Sequence, residues 1–91
     1  MEQKLLKIIN HYGVLPQLKY FQSEVFELNE AIIDYEHDYF GHKSKEHITE
    51  EIADVTVMLL QFKEHYNIDG NDILRIMNEK IDRQLDRMRE E

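Results

Sequence analysis

The sequence predicts an all-α fold, an antiparallel bundle of about four helices forming a single domain over residues 1–91, with its core completed by oligomerisation. Three observations lead there. Apolar residues recur at spacings of three and four in four separate segments, the pattern of helices that each bury one stripe. The composition, 42% hydrophobic and 33% charged with one proline and three glycines, suits a helical chain better than a disordered or sheet-rich one. Finally, 91 residues in one domain bury only about 60 to 65% of the unfolded surface, so the core is thin and a second copy is expected to complete it.

The elements follow in order. Leu5, Leu6, Ile8 and Ile9 predict a short first helix that stops at Gly13, and Pro16 is tolerated in the first turn of the next. The second helix carries Leu18, Phe21, Val25, Leu28, Ile32 and Tyr35 as one buried stripe and is expected to run to about Tyr39. Gly41 is expected to cap its end, with Ser44 as N-cap of a third helix from about Lys45 to Tyr66. That helix repeats the stripe with Ile48, Ile52, Val55, Leu59 and Phe62. NIDGND is turn chemistry, in which Asn71 is expected to cap a fourth helix holding Ile73, Ile76, Met77, Ile81, Leu85 and Met88. Linkers this short favour antiparallel neighbours.

Nineteen acids against eleven bases give a net charge of -8, which repels a phosphate backbone and argues against nucleic acid as a partner. A small phosphorylated ligand stays compatible if metal ions bridge the like charges. With no cysteine, neither a disulfide framework nor a thiolate zinc site is available. No segment approaches the roughly 18 apolar residues of a membrane span, so no membrane partner is expected and the cytoplasm is the expected location.

Two acid pairs stand beside the apolar stripes: Glu24 and Glu27 in SEVFEL, Glu51 and Asp54 in EEIADV. Residues three apart share a helix face. The pairs are centred at 25.5 and 52.5, and their mean falls at residue 39, almost at the turn between the second and third helices. In an antiparallel hairpin the pairs therefore stand at one height. Glu51 lies within the stripe of Ile48, Val55, Met58 and Phe62 and is expected to be buried, Glu24 at the stripe's edge, and Glu27 and Asp54 further toward solvent. Carboxylates gathered about 5 Å apart repel by roughly 3 kcal/mol per pair at an effective dielectric near 20. No lysine or arginine on the same inward faces offsets this, and an oxygen-only ligand set selects Mg²⁺, Mn²⁺ or Ca²⁺ over zinc.

At these residues the sequence resembles the MazG-like, all-alpha nucleoside triphosphate pyrophosphohydrolases, which carry EExxE on one helix and ExxD on the next. Here Glu24-Val-Phe-Glu27 is followed by Leu28, and Glu51-Ile-Ala-Asp54 by Val55, with 23 residues between Glu27 and Glu51. The likeness spans roughly residues 11 to 88. It departs from the pattern at Ser23, where the family usually has a second, adjacent glutamate. The resemblance implies Glu24, Glu27, Glu51 and Asp54 as ligands of Mg²⁺, with Mn²⁺ as an alternative, and hydrolysis of a nucleoside triphosphate to the monophosphate and pyrophosphate. Glu27, then Glu24, is the expected base for the attacking water. On the last helix Lys80 matches the family's phosphate-binding lysine and Gln84 stands where an asparagine is common. Arg83 and Arg87 extend that ridge, Asn78 is a further candidate, and Gln17 sits where these proteins often carry glutamine. A homodimer or homotetramer is expected.

The rival reading is a non-catalytic helical interaction module whose acids hold a divalent metal structurally. Of the five histidines, His47 alone, one turn before Glu51, aligns with the acids, and Tyr12, Tyr20, Phe21 and their neighbours read first as packing residues.

Overall fold

The computed structural model describes residues 1–38 and 41–91. Among these residues it holds four helices and no strand: α1 (Glu2–Tyr12), α2 (Val14–Glu36), α3 (Glu46–His65) and α4 (Gly70–Glu90). None of these helices is long and apolar enough to cross a membrane.

Only Gly13 separates α1 from α2. Its φ of 92° lies where side chains are rarely tolerated, and its N–H donates to the Ile9 carbonyl, closing α1. Pro16 falls in the first turn of α2, where a missing N–H is harmless. At the other end, α2 stops at Glu36, short of the expected Tyr39, which with Phe40 lies outside the described residues. The closing residue is His37 rather than Gly41, although Gly41 does adopt a positive φ of 67° within the connection. Lys43 ties that connection to α2, its N–H donating to Asp38 and its ammonium to Asp34. Lys45 occupies the N-cap position of α3, with the expected Ser44 one residue earlier accepting a 3.4 Å bond from the Glu46 N–H. For α4 the cap is Asp69, not Asn71: the Asp69 carboxylate accepts from the Asn71 N–H at 2.9 Å. Asp69 holds the extended backbone of an N-cap (φ -73°, ψ 126°), whereas Asn71 already lies inside the helix.

α2 and α3 form the main packed pair, and α1 lies against α3 and to a lesser degree α2. Gln17 meets Gln61, Glu24 meets Glu51 and Asp54, and Ala31 lies beside His47 and Ile48, so one number falls as the other rises. This is the antiparallel register expected from the acid-pair midpoints. The seam itself differs from the expected one. In α2 the residues fully buried are Gln17, Glu24 and Ala31, seven apart, and in α3 they are Glu51, Met58 and Gln61. Of the predicted apolar stripe, Phe21, Leu28 and Tyr35 are half-buried, whereas Leu18, Val25 and Ile32 remain 41 to 43% exposed. The fully buried apolar side chains are Leu5, Ile9, Ala31 and Met58. α4 makes little contact with the rest, and its predicted core residues Ile76, Met77, Ile81, Leu85 and Met88 are 41 to 63% exposed.

Candidate metal centre

Side chains at positions 17, 24 and 31 of a helix point along nearly one line, since seven residues advance by about 700°, close to two full turns. Ala31 lies on the same line of α2 as Glu24, and both are buried against α3. Glu24 is 5% exposed and Glu51 8%; Glu24 is thus not at the edge of the seam, as its spacing suggested, but in it. Asp54, one turn beyond Glu51, remains exposed at the rim. Glu24, Glu51 and Asp54 each offer a carboxylate oxygen within 4.8 Å of the others.

Among the described residues, one oxygen of each buried glutamate has no protein partner. Glu24 Oε2 and Glu51 Oε2 are buried without a hydrogen bond, in a pairing of like charges that water does not screen. The basic group at ion-pair distance among the described residues is His47, whose Nε2 lies 3.3 Å from Glu51 Oε1 and which is itself largely exposed. A hard divalent cation satisfies such a set: it supplies the missing positive charge and takes oxygen ligands at this spacing. The three carboxylates therefore fit a metal ion.

Glu27, the fourth acid of the two motifs, is solvent-exposed and outside the converging trio. It nevertheless senses them. The charge of Glu24 first, then partial desolvation and the charges of Glu51 and Asp54, raise its pKa above the ordinary carboxylate value. Tyr20, one turn before Glu24, is coupled to the same charges: its hydrogen bond to Glu24 and the negative charge of Glu24 hold its hydroxyl pKa above the usual tyrosine value.

Beside the trio opens a cavity of about 580 Å³, with Glu24 and Asp54 in one wall and Ile8, Tyr12, Pro16, Tyr20 and Val57 among the others. Gln17, Met58 and Gln61 line it too, and there the Gln17 amide donates to Gln61 Oε1 at 2.8 Å. Gln17 thus lies where a ligand entering beside the acids would meet it. Lys80, Arg83, Gln84, Arg87 and Asn78 do not line this cavity; all are exposed on α4. Tyr20 was expected as a packing residue, and Gln61 was not expected at the site at all. Tyr20 carried a usable signal, an i,i+4 spacing to Glu24, while Gln61 lies on the seam only through its partnership with Gln17, 44 residues away.

No family model, curated protein or solved structure matches the chain.

Proposed function

We propose that the chain is a Mg²⁺-dependent nucleoside triphosphate pyrophosphohydrolase, converting an NTP or dNTP to the monophosphate and pyrophosphate, with Mn²⁺ as an alternative ion. The observation that carries this reading is the convergence of Glu24, Glu51 and Asp54 from the two motif segments, with two buried carboxylate oxygens left without partners. Bound there, a divalent cation neutralises triphosphate charge and makes water more acidic.

The chain's own residues supply the rest. Glu24, Glu51 and Asp54 hold the ion. Glu27, outside the trio and of raised pKa, accepts the proton of the attacking water at its carboxylate, with Glu24 the second choice. The apolar walls of the adjoining cavity take the less charged end of the nucleotide, and Gln17 contacts it there. Lys80, Arg83 and Arg87, with Gln84 and Asn78, meet phosphate oxygens. Within one chain none of these lines the cavity, so those contacts belong to an assembled homodimer or homotetramer. A role in control of the cytoplasmic nucleotide pool fits this chemistry.

The test is pyrophosphate release over a panel of triphosphates with Mg²⁺, comparing the native chain with Glu51→Gln. Release by the native chain, reduced by two or more orders of magnitude in the variant, is the expected result. If the native chain stays at the metal-only blank while Mg²⁺ still raises its melting temperature, the interaction module with a structural metal replaces the enzyme.

A further inference from the structure

Each buried glutamate of the cluster has a polar ring one turn before it on its own helix: Tyr20 precedes Glu24 by four residues, and His47 precedes Glu51 by four. Four residues advance an α-helix by about 400°, so the earlier side chain lies only about 40° off the line of the later one, and helical side chains lean toward the N-terminus. The contact follows in both cases. The Tyr20 hydroxyl donates to the Glu24 carboxylate, and His47 Nε2 lies 3.3 Å from Glu51 Oε1. In each glutamate the oxygen left buried and without a partner among the described residues is Oε2. Since Glu24 Oε2 accepts no hydrogen bond, the Tyr20 hydroxyl falls to Oε1. Both carboxylates are thus divided in the same way, with one oxygen engaged from the preceding turn and one left over.

Because α2 and α3 run antiparallel, the turn before Glu24 and the turn before Glu51 lie on opposite sides of the cluster along the hairpin. Tyr20 stands toward the Gln17–Gln61 contact, in the wall of the large cavity, and His47 toward Ala31 and the connection, beside Asp34 and Lys43. The two buried acids are held from both ends. Asp54 is the exception: four residues before it stands Glu50, whose carboxylate has no proton to donate, so the acid at the rim lacks such a hold.

Neither ring is placed for packing. Tyr20 is 55% exposed and the His47 side chain 64%, so neither fills the interior as Ile9 and Met58 do. What each contact does is restrict rotation. The carboxylate end of a glutamate turns about a broad torsion with little preference of its own, and two like charges across a seam would swing apart, or each would turn both oxygens onto an ion. With one oxygen engaged, each glutamate offers an ion the other alone. Single-oxygen ligation suits Mg²⁺, which demands a tight octahedron and keeps several waters, whereas the larger Ca²⁺ readily accepts both oxygens of one carboxylate.

We propose that Tyr20 and His47 are positioning residues of the metal centre: each holds one oxygen of the glutamate one turn after it, which leaves the other oxygen for the ion and biases the site toward Mg²⁺ over Ca²⁺. The proposal rests on the metal site of the functional reading and needs none of its hydrolysis. Neither ring ligates the ion. Both act through Glu24 and Glu51, as hydrogen-bonding partners behind metal-binding carboxylates do elsewhere.

The experiment is isothermal titration calorimetry with Mg²⁺ and with Ca²⁺, without nucleotide, on the native chain, Tyr20→Phe, His47→Leu and His47→Gln, with circular dichroism to record helicity. Tyr66→Phe, at an exposed tyrosine closing α3, is the control. Mg²⁺ binding is expected to weaken about 10-fold in Tyr20→Phe and again in His47→Leu, the lower end of what loss of such a partner costs. Ca²⁺ binding should change far less, so that the ratio of the two affinities falls. His47→Gln, whose amide keeps a donor, should recover most of the loss, and the control should bind both ions as the native chain does. Tyr20→Phe removes a single oxygen atom from an exposed ring, so it carries the test even where His47→Leu loses helicity. Native Mg²⁺ affinity in both variants overturns the proposal, as does equal weakening toward both ions, which a loosened fold would give. A native chain that binds neither ion overturns the metal centre and this proposal together, whereas the expected pattern without pyrophosphate release removes the enzyme reading alone.

Discussion

Glu24 and Glu51 face each other across the α2–α3 seam, each buried and each with an Oε2 that no protein group among the described residues satisfies. An ion between them would relieve both the repulsion and the missing bonds, so metal should act on stability before any substrate is added. Saturating Mg²⁺ or Mn²⁺ is expected to stabilise the fold, by about 2.7 kcal/mol at 100 times the dissociation constant, and so to raise the melting temperature. Glu51→Gln should melt at or above the native temperature without metal and lose most of the metal-dependent rise. An equal metal response in both proteins, read by differential scanning calorimetry, would place the ion elsewhere.

The same crowding predicts a pH dependence. Glu27 titrates above its ordinary value because of Glu24 and the neighbouring acids, so the metal-free folded state holds its proton more tightly than the unfolded chain does. That contribution is fully present below the unfolded pKa and is lost as pH rises through the folded one. Lowering the pH from neutral into the carboxylate range should therefore raise the metal-free melting temperature. Asp34, whose pKa the Lys43 ammonium lowers, acts in the opposite sense and only at still lower pH. Glu27→Gln should flatten the rise, and saturating Mg²⁺ should remove or invert it; a native profile unchanged by the substitution would assign the titration to other groups.

Gln17 and Gln61 form a buried amide contact whose loss leaves a polar group without a partner. Gln61→Leu is expected to cost about 1 to 3 kcal/mol in denaturant unfolding, because the Gln17 amide is then stranded. Replacing both by leucine should cost less than the sum of the two single changes. Additive losses would mean that the two amides act independently.

Gly13 holds α1 at an angle to α2 through a positive φ, while a Cβ there would meet only Pro16 at an ordinary 3.6 Å. Gly13→Ala should thus destabilise by about 1 to 3 kcal/mol through backbone strain rather than collision, because φ 92° with ψ 157° is a region that essentially only glycine occupies. Gly41→Ala, with open space around it, tests the same φ penalty in the exposed connection. Chemical denaturation of the pair separates strain from packing, and a neutral Gly13→Ala would show that α1 can reorient freely.

Much of the arrangement was legible along the chain. The four helices follow from apolar spacing, and the level meeting of Glu24 with Glu51 and Asp54 follows from the equal distances of the two acid pairs from the connecting turn. Local chemistry also marked Gly13 and the turn before α4. It misjudged the cap of α4, where Asp69 and not Asn71 is the last residue in extended backbone, because only backbone geometry decides which candidate stands just outside the helix.

Spacing on a 3.6-residue turn is enough to give each helix an apolar stripe and to set acids beside it at matching heights. Which line of each helix becomes the seam is settled by packing between the helices. Periodicity fixes an arc of about 100° but not the line of closest approach within it. Here the line of Gln17, Glu24 and Ala31 turns inward, with the Gln17–Gln61 bond across the seam, and leaves Leu18, Val25 and Ile32 facing out. That rotation places two carboxylates under cover and leaves apolar side chains exposed.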